Sequence, residues 1–213
     1  MKQTTGESAK HAAMEELKTR SMGKVPNLCA PGHPLVWGEG SLAAKVAIVG
    51  EAPGDEEEQL GRPFVGPAGA LLDRELKQAG LDRKDIWITN AVKCRPVKEI
   101  SKQIVNRSPT VREIRGWSET LMEELEIIAP QIILCAGAVA ARAIIRKDFA
   151  LTKERGRWFN GPLGTMVIAT FHPAYILRQT GEDWDRTIKL FKSDIRKVAE
   201  AIESGEKEPE AHI

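Results

Sequence analysis

The 213-residue chain has no apolar run near the roughly 20 residues a membrane helix needs, and its start, MKQTTGESAKHAAMEELK, carries no apolar signal core. A cytoplasmic protein with no membrane partner is the expectation. Cysteine is scarce: Cys29, Cys94 and Cys135 are far apart, odd in number and form no CxxC pair. A disulfide framework is therefore not expected, and the thiols are read as reduced. Charge of one sign is missing too. With 31 Lys and Arg against 30 Asp and Glu the formal net charge is +1, so any nucleic-acid contact must come from local clusters rather than a field over the whole protein. No Gly-Lys-Ser/Thr follows the first glycine turn and GxGxxG spacing is absent, so nucleotide cofactors lose support. There is no internal repeat and no low-complexity segment.

What is present suffices for one sizeable core, at 42% hydrophobic residues. Residues 1–22 read as a polar amphipathic helix with Ala12, Met14, Leu17 and Met22 on a narrow stripe, an appendage to the core, and residues 23–40 as an irregular Gly/Pro connection. The expected layout is a helix and connection over 1–35, a main domain over 36–205 and a flexible tail over 206–213. Four short apolar runs, VAIV (46–49), IWITN (86–90), QIILCA (131–136) and MVIAT (166–170), read as strands buried on both faces. Helical spacing separates them, over 71–79, from Ser108-Pro109-Thr110 through Ile128, and over 138–146, with a charged terminal helix over 182–203. The fold class is α/β: a three-layer α/β/α arrangement around a short, mostly parallel four-stranded sheet. Ligands of such sheets sit beyond the carboxyl ends of the strands, where Glu51 to Gly54, Asn90 and His172 fall.

Each candidate leaves two roles open. The turn Gly50-Glu51-Ala52-Pro53-Gly54 is an ordinary turn or a place where backbone N–H groups approach a ligand. Asp55, Glu56 and Glu58 read as helix-start or surface charges, stabilised there by about 0.3–1 kcal/mol each. Phe64, framed by Gly61, Pro63 and Gly66, is core or a stacking platform. Asn90 caps a turn or offers the donor and acceptor that one edge of a nucleobase requires. His172 before Pro173 is structural or part of a site. Two basic clusters, Lys93, Arg95, Lys98, Lys102 and Arg107, then Arg142, Arg146, Lys147, Lys153, Arg155 and Arg157, are solvated faces or phosphate contacts.

The stretches VAIVGEAPGDEEEQLGRPFVGPAGALLDRELKQAGL, ITNAVKCRP and TFHPAYILR resemble the successive motifs of family 4 uracil-DNA glycosylases, in order and approximate spacing, over about residues 36–198. The resemblance implies a DNA-repair enzyme that acts on uracil-containing DNA, cleaves the N-glycosidic bond of deoxyuridine and leaves an abasic site; a monomer is expected. It implies that Phe64 stacks on the flipped uracil, Asn90 reads its edge, and His172 donates to the O2 region. Glu51, Ala52, Pro53 and Gly54 would contact sugar and base, and Glu57 would line the pocket near C5. His172, Glu51 and Glu57 are thus the catalytic candidates; Lys102, Arg107, Arg155 and Arg178 are the DNA-binding ones. The other readings are a non-catalytic DNA- or base-binding member of the fold and a glycosylase for hypoxanthine or xanthine.

Two departures stand out. Family 4 implies a 4Fe-4S cluster on four cysteines, of which only Cys94 is matched: the CxxC before Trp37 is missing, Cys29 is alone there, and Trp117 stands where the last thiolate is expected. No cofactor and no metal site are expected, and Cys135 is read as core. The basic loop VKEISKQIVNR, residues 97–107, resembles in length that of a related branch which traps uracil-DNA covalently through a loop histidine. Asn106 falls near that position, and a carboxamide is a poor nucleophile, so covalent trapping is not expected.

Overall fold

The computed structural model describes residues 2–24 and 28–205, with the side chains of residues 2–5 left out; the tail expected over 206–213 lies outside them. In chain order the elements are α1 (Lys2–Ser21), β1 (Glu39–Gly40), β2 (Val46–Gly50), α2 (Asp55–Leu60), α3 (Pro67–Gln78), β3 (Trp87–Asn90), β4 (Val97–Ile100), β5 (Gln103–Asn106), α4 (Val111–Ile128), β6 (Ile132–Ala136), α5 (Ala138–Ile144), α6 (Leu151–Glu154), β7 (Trp158–Asn160), β8 (Met166–Thr170), α7 (Pro173–Ile176) and α8 (Gly181–Ser204).

The sheet runs β1-β3-β2-β6-β8-β7. Its four central strands are the four apolar runs of the sequence and pair in parallel, with Gly50 opposite Asn90 and Ala136 opposite Thr170. The expected four-stranded sheet is six-stranded, because β1 and β7 add antiparallel edges. These are two and three residues long, too short to carry a period-2 pattern. From β2 the chain passes to β3 on one side and β6 on the other. The strand order therefore reverses between β2 and β6, at the carboxyl edge where open α/β sheets hold their ligands.

Alternate residues of each central strand face opposite layers. Ile48, Ile88, Leu134 and Ile168 pack on α3 and α8 through Leu72, Leu76, Phe191 and Ile195. Ala47, Val49, Ile133, Cys135 and Val167 pack on α4 and α5 through Leu121, Leu125 and Ala140. Helix α4 starts as its sequence predicts: Thr110 Oγ1 accepts from Glu113 N at 3.2 Å while Glu113 accepts from Thr110 N at 2.6 Å. The N-terminal helix is not an appendage, since Met14 and Leu17 are buried in the second layer. Lys10 Nζ also donates to the carbonyl of Ile128 at 2.7 Å, where α4 ends. Met22, expected on the same stripe, is exposed.

Two further expectations change. Cys29 and Cys94 form a disulfide with Cα atoms 5.8 Å apart across 65 residues, so these two thiols are not free as the sequence suggested; Cys135 is a buried free thiol. The tertiary fold brings the irregular segment back onto the VKCRP stretch, where Val36 N donates to Lys93 O at 2.7 Å. The loop over 97–107 is largely a β-hairpin of β4 and β5. Its two turn residues, Ser101 and Lys102, have φ of 50° and 65°, the left-handed pair a two-residue hairpin requires, without the Asn-Gly that usually signals it.

Candidate active site

A cleft of about 550 Å³ opens at the carboxyl ends of β2, β3 and β8. The turn after β2 supplies Glu51, Ala52, Pro53 and Gly54, and α2 supplies Glu57; Phe64 comes from the following loop, Asn90 from β3, and His172 and Arg178 from either end of α7. Arg107 and Ser108 close it from the hairpin side. Lys102 sits exposed at the hairpin tip and Arg155 lies elsewhere, bound to Asp194 on α8.

Gly50 explains how the floor is assembled. A Cβ there would stand 2.3 Å from Asn90 Oδ1 and 2.6 Å from the Phe64 ring, so only a glycine lets ring and carboxamide meet over the end of β2. The Phe64 ring lies 5.6 Å from that of His172 at an interplanar angle of 25°. Phe64 itself has φ of 52°, a left-handed conformation that a bulky residue adopts only when its surroundings impose it. They do so through Arg83, whose guanidinium donates to Pro63 O at 2.6 Å and Phe64 O at 3.1 Å and is anchored on Asp73 and Glu39. Nothing in the sequence around Arg83 marked it.

Glu57, expected as a catalytic carboxylate, spends both oxygens on backbone. Oε2 accepts from Gly54 N at 3.1 Å; Oε1 accepts from Val65 N at 3.2 Å and Gly66 N at 3.1 Å. It buckles the glycine turn to the Phe64 loop. Glu51 is partly buried and its carboxyl is raised above the usual range by burial, against the pull of Ser108 and Arg178. The other acids divide. Asp55 and Glu58 do stand in the short helix α2, but they are not free surface charges: both accept from Arg95, and Glu58 also contacts His33 at 2.5 Å.

His172 is the N-cap of α7, and its Nδ1 accepts from Ala174 N at 3.1 Å. An accepting Nδ1 leaves the single proton of the neutral ring on Nε2. Burial, with help from the nearby positive Arg178 and against Glu57, lowers its pKa to about 4. The ring is thus neutral at pH 7 and carries an Nε2–H donor.

Five of the eleven residues in the basic clusters are taken up by carboxylates of the protein itself. Lys93 is fully buried against Glu124; Arg95 is taken as above; Arg107 forms a two-pronged pair with Glu113, at 2.7 and 2.8 Å. Arg146 pairs with Glu154 and Arg155 with Asp194. These side chains shape the protein rather than offering free charge. Arg178, exposed at the cleft rim, forms no salt bridge among the described residues and acts on Glu51 only through space.

The four-thiolate cluster implied by family 4 does not fit. The whole chain has three cysteines, two of which bond to each other, while Cys135 is buried within β6 in the core of the second layer, a different cluster from that of Cys94. Trp117, fully buried, packs with Leu28, Val92 and Cys94 in the corresponding region.

Comparison with known proteins agrees with this architecture. A family profile described as the uracil DNA glycosylase superfamily matches residues 37–198. The chain is 41% identical over 155 residues to the type-4 uracil-DNA glycosylase of Thermotoga maritima, covering 72% of this chain and 77% of the relative. Against the type-4 enzyme of Pyrobaculum aerophilum it is 37% identical over 151 residues, 68% and 74% of the two chains. Against that of Archaeoglobus fulgidus it is 35% identical over 184 residues, 82% and 84%. On the extent of the profile match and the coverage of these relatives, the chain belongs to the uracil-DNA glycosylase superfamily.

Proposed function

We propose that this protein excises uracil from DNA, hydrolysing the N-glycosidic bond of a flipped deoxyuridine and leaving an abasic site. The observation that carries the reading is the state of His172, a neutral imidazole with Nδ1 occupied and its Nε2–H donor in the same cleft as Phe64 and Asn90.

Rotating a nucleotide out of the stack costs a few kcal/mol, offset here by stacking of the base on Phe64 and by hydrogen bonds to the Asn90 carboxamide. When the bond between C1′ and the base nitrogen breaks, the electron pair leaves with the base and negative charge grows on its oxygens. A donor preorganised at such an oxygen lowers the barrier most, and the role falls to His172 Nε2–H. Because the ring stays neutral it donates without first holding a charge of its own. Water then adds at C1′ through its oxygen, and the proton it loses ends on the departed base anion, giving the abasic sugar and neutral uracil. Glu51, in the cleft with a raised pKa, is the carboxylate available to orient that water. Glu57 acts one step back, holding the Gly54 turn and the Phe64 loop at fixed separation. Arg178 at the rim is the cation available to phosphate, with Lys102 as a second contact from the hairpin.

The test uses single- and double-stranded oligonucleotides carrying uracil, hypoxanthine, xanthine or thymine, incubated with the protein and then cleaved at abasic sites with alkali. Strand scission at uracil and none at thymine is expected. Scission only at hypoxanthine or xanthine would reassign the substrate, and none at any base would leave a binding protein.

A further inference from the structure

The hairpin of β4 and β5 stands at the mouth of the cleft and carries two exposed apolar side chains that the chemistry above does not use. Its root is fixed. Arg107 N donates to Pro96 O at 3.1 Å, Arg107 Nε to Val97 O at 3.0 Å and Arg95 Nε to Asn106 Oδ1 at 2.6 Å, while the pair of Arg107 with Glu113 ties the root to α4. Towards the tip both strands are open to water, with Ile100 50% and Ile104 61% exposed. Residues opposite each other in the ladder share a face, and faces alternate along each strand. Val97, Glu99, Ile104 and Asn106 therefore lie on one face, and Lys98, Ile100, Gln103 and Val105 on the other. Asn106 lines the cleft, so the face of Ile104 is the one turned towards it. Two residues of strand place Ile104 about 7 Å further out.

We propose that Ile104 is an apolar wedge for duplex DNA, packing against the base stack at the layer the flipped nucleotide vacates. The inference rests on the uracil-excision reading. With the flipped base inside the cleft, the duplex it left lies across the mouth, and a side chain beyond the cleft wall meets stacked bases rather than the flipped one. A withdrawn base leaves an open layer, and apolar side chains such as isoleucine fill such layers and offset part of the cost of unstacking. The charges on the hairpin fit a base at Ile104 and phosphates elsewhere. Glu99 is the direct cross-strand neighbour of Ile104, and a carboxylate repels phosphate while leaving an uncharged base unaffected. Lys98 on the opposite face and Lys102 at the turn form no ion pair among the described residues and are the cations the hairpin offers to the DNA backbone.

Ile104→Ala and Ile100→Ala remove the same side chain from opposite faces, and because both are exposed each variant should melt as wild type does. Single-turnover uracil excision is measured on a single strand, on a duplex with uracil opposite guanine and on a duplex with uracil opposite adenine. Ile104→Ala should lose roughly 5- to 30-fold opposite adenine, the scale of a partly buried isoleucine. It should lose less opposite guanine, where a mismatch lowers the cost of opening, and nothing on the single strand, which has no stack to hold open. Ile100→Ala should match wild type on all three. A second readout needs no cleavage. An uncleaved duplex carrying 2′-fluoro-2′-deoxyuridine beside 2-aminopurine should gain fluorescence when wild-type protein opens the stack, and the gain should shrink in Ile104→Ala alone. An equal loss on single strand and duplex would make Ile104 part of the pocket or the fold, and an equal loss in Ile100→Ala would reduce the effect to hairpin stability. A wild-type duplex rate in Ile104→Ala would show that no wedge acts there. Each of these overturns the proposal while uracil excision stands, as would wild-type protein that acts only on single strands. Wild-type protein that releases no uracil from any substrate would overturn it together with the function it rests on.

Discussion

Lys93 and Arg95 stand two residues apart in the VKCRP stretch, and each is tied to carboxylates, yet they serve different regions of the molecule. Lys93 lies under the floor of the cleft, its ammonium bonded to Glu124, to Thr89 Oγ1 at 2.7 Å and to the carbonyl of Asn90 at 2.9 Å, with neither side chain of the ion pair exposed at all. Burial lowers the Lys93 pKa and Glu124 opposes that shift. Arg95 holds the mouth, where its partner Asp55 is 53% exposed. The floor pair is dry, and neither charge has an alternative partner in water. The mouth pair is partly solvated, so its loss is compensated by solvent. Asn90, proposed above to read the base, is thereby mounted on a fully buried polar network, and the mouth of the cleft on a more forgiving one.

The sharpest way to break this contrast is Lys93→Met, which leaves Glu124 charged and unpaired in the core; a loss of about 3–5 kcal/mol in urea unfolding is expected, with much of it recovered in Lys93→Met/Glu124→Leu. A wild-type midpoint for the single variant would show that the floor is no more committed than the mouth. Next comes His172→Ala on the floor itself. Single-turnover excision of uracil should fall by about 10²–10³, the usual effect of removing one preorganised donor, while the fold is retained. Acid should separate the regions by a smaller amount. With the native His172 pKa lowered to about 4 and an unfolded value of about 6.5, the unfolded chain binds more protons than the native one between those values. That contribution to stability is therefore intact above pH 6.5 and falls as pH drops towards 4; an NMR titration of the His172 ring with a midpoint near 6.5 would contradict it. The smallest effect belongs to the mouth: Asp55→Asn should change unfolding free energy by about 1 kcal/mol or less, because an exposed partner is screened by water and salt.

Much of the site was legible because its residues lie in long local stretches. GEAPG, Asn90 at the end of IWITN and His172 before Pro173 all occur where strands stop, and the strand-end rule predicted that they converge; the GRPFVG frame of Phe64 lies beyond α2 and is brought to them by the tertiary fold. The basic clusters were misleading for the same local reason. Lys93, Arg95, Arg107 and Arg155 look like free charge when only neighbours in sequence are counted, but their carboxylates are Glu124, Asp55 with Glu58, Glu113 and Asp194. Most of those partners lie 31 to 40 residues away, a separation with no period to detect. Arg83 was invisible because its task is to hold two main-chain carbonyls, and main-chain acceptors leave no mark in a sequence.

Local chemistry by itself determined the four central strands, the capping of α4 by Thr110 and Glu113, and the candidates for the base-facing floor. Hydrophobic period, caps and glycine turns act over a few residues, so the order of residues is enough to specify them. Only the tertiary structure decided which charges remain available, which carboxylates act as braces, and that Cys29 meets Cys94. The same holds for the directions in which His172 and Asn106 present their donors. A proton's place on an imidazole and the turn of a carboxamide depend on what the opposite atom already holds, here Ala174 N and Arg95 Nε. For Asn106 that partner is brought into reach by the closing of the hairpin.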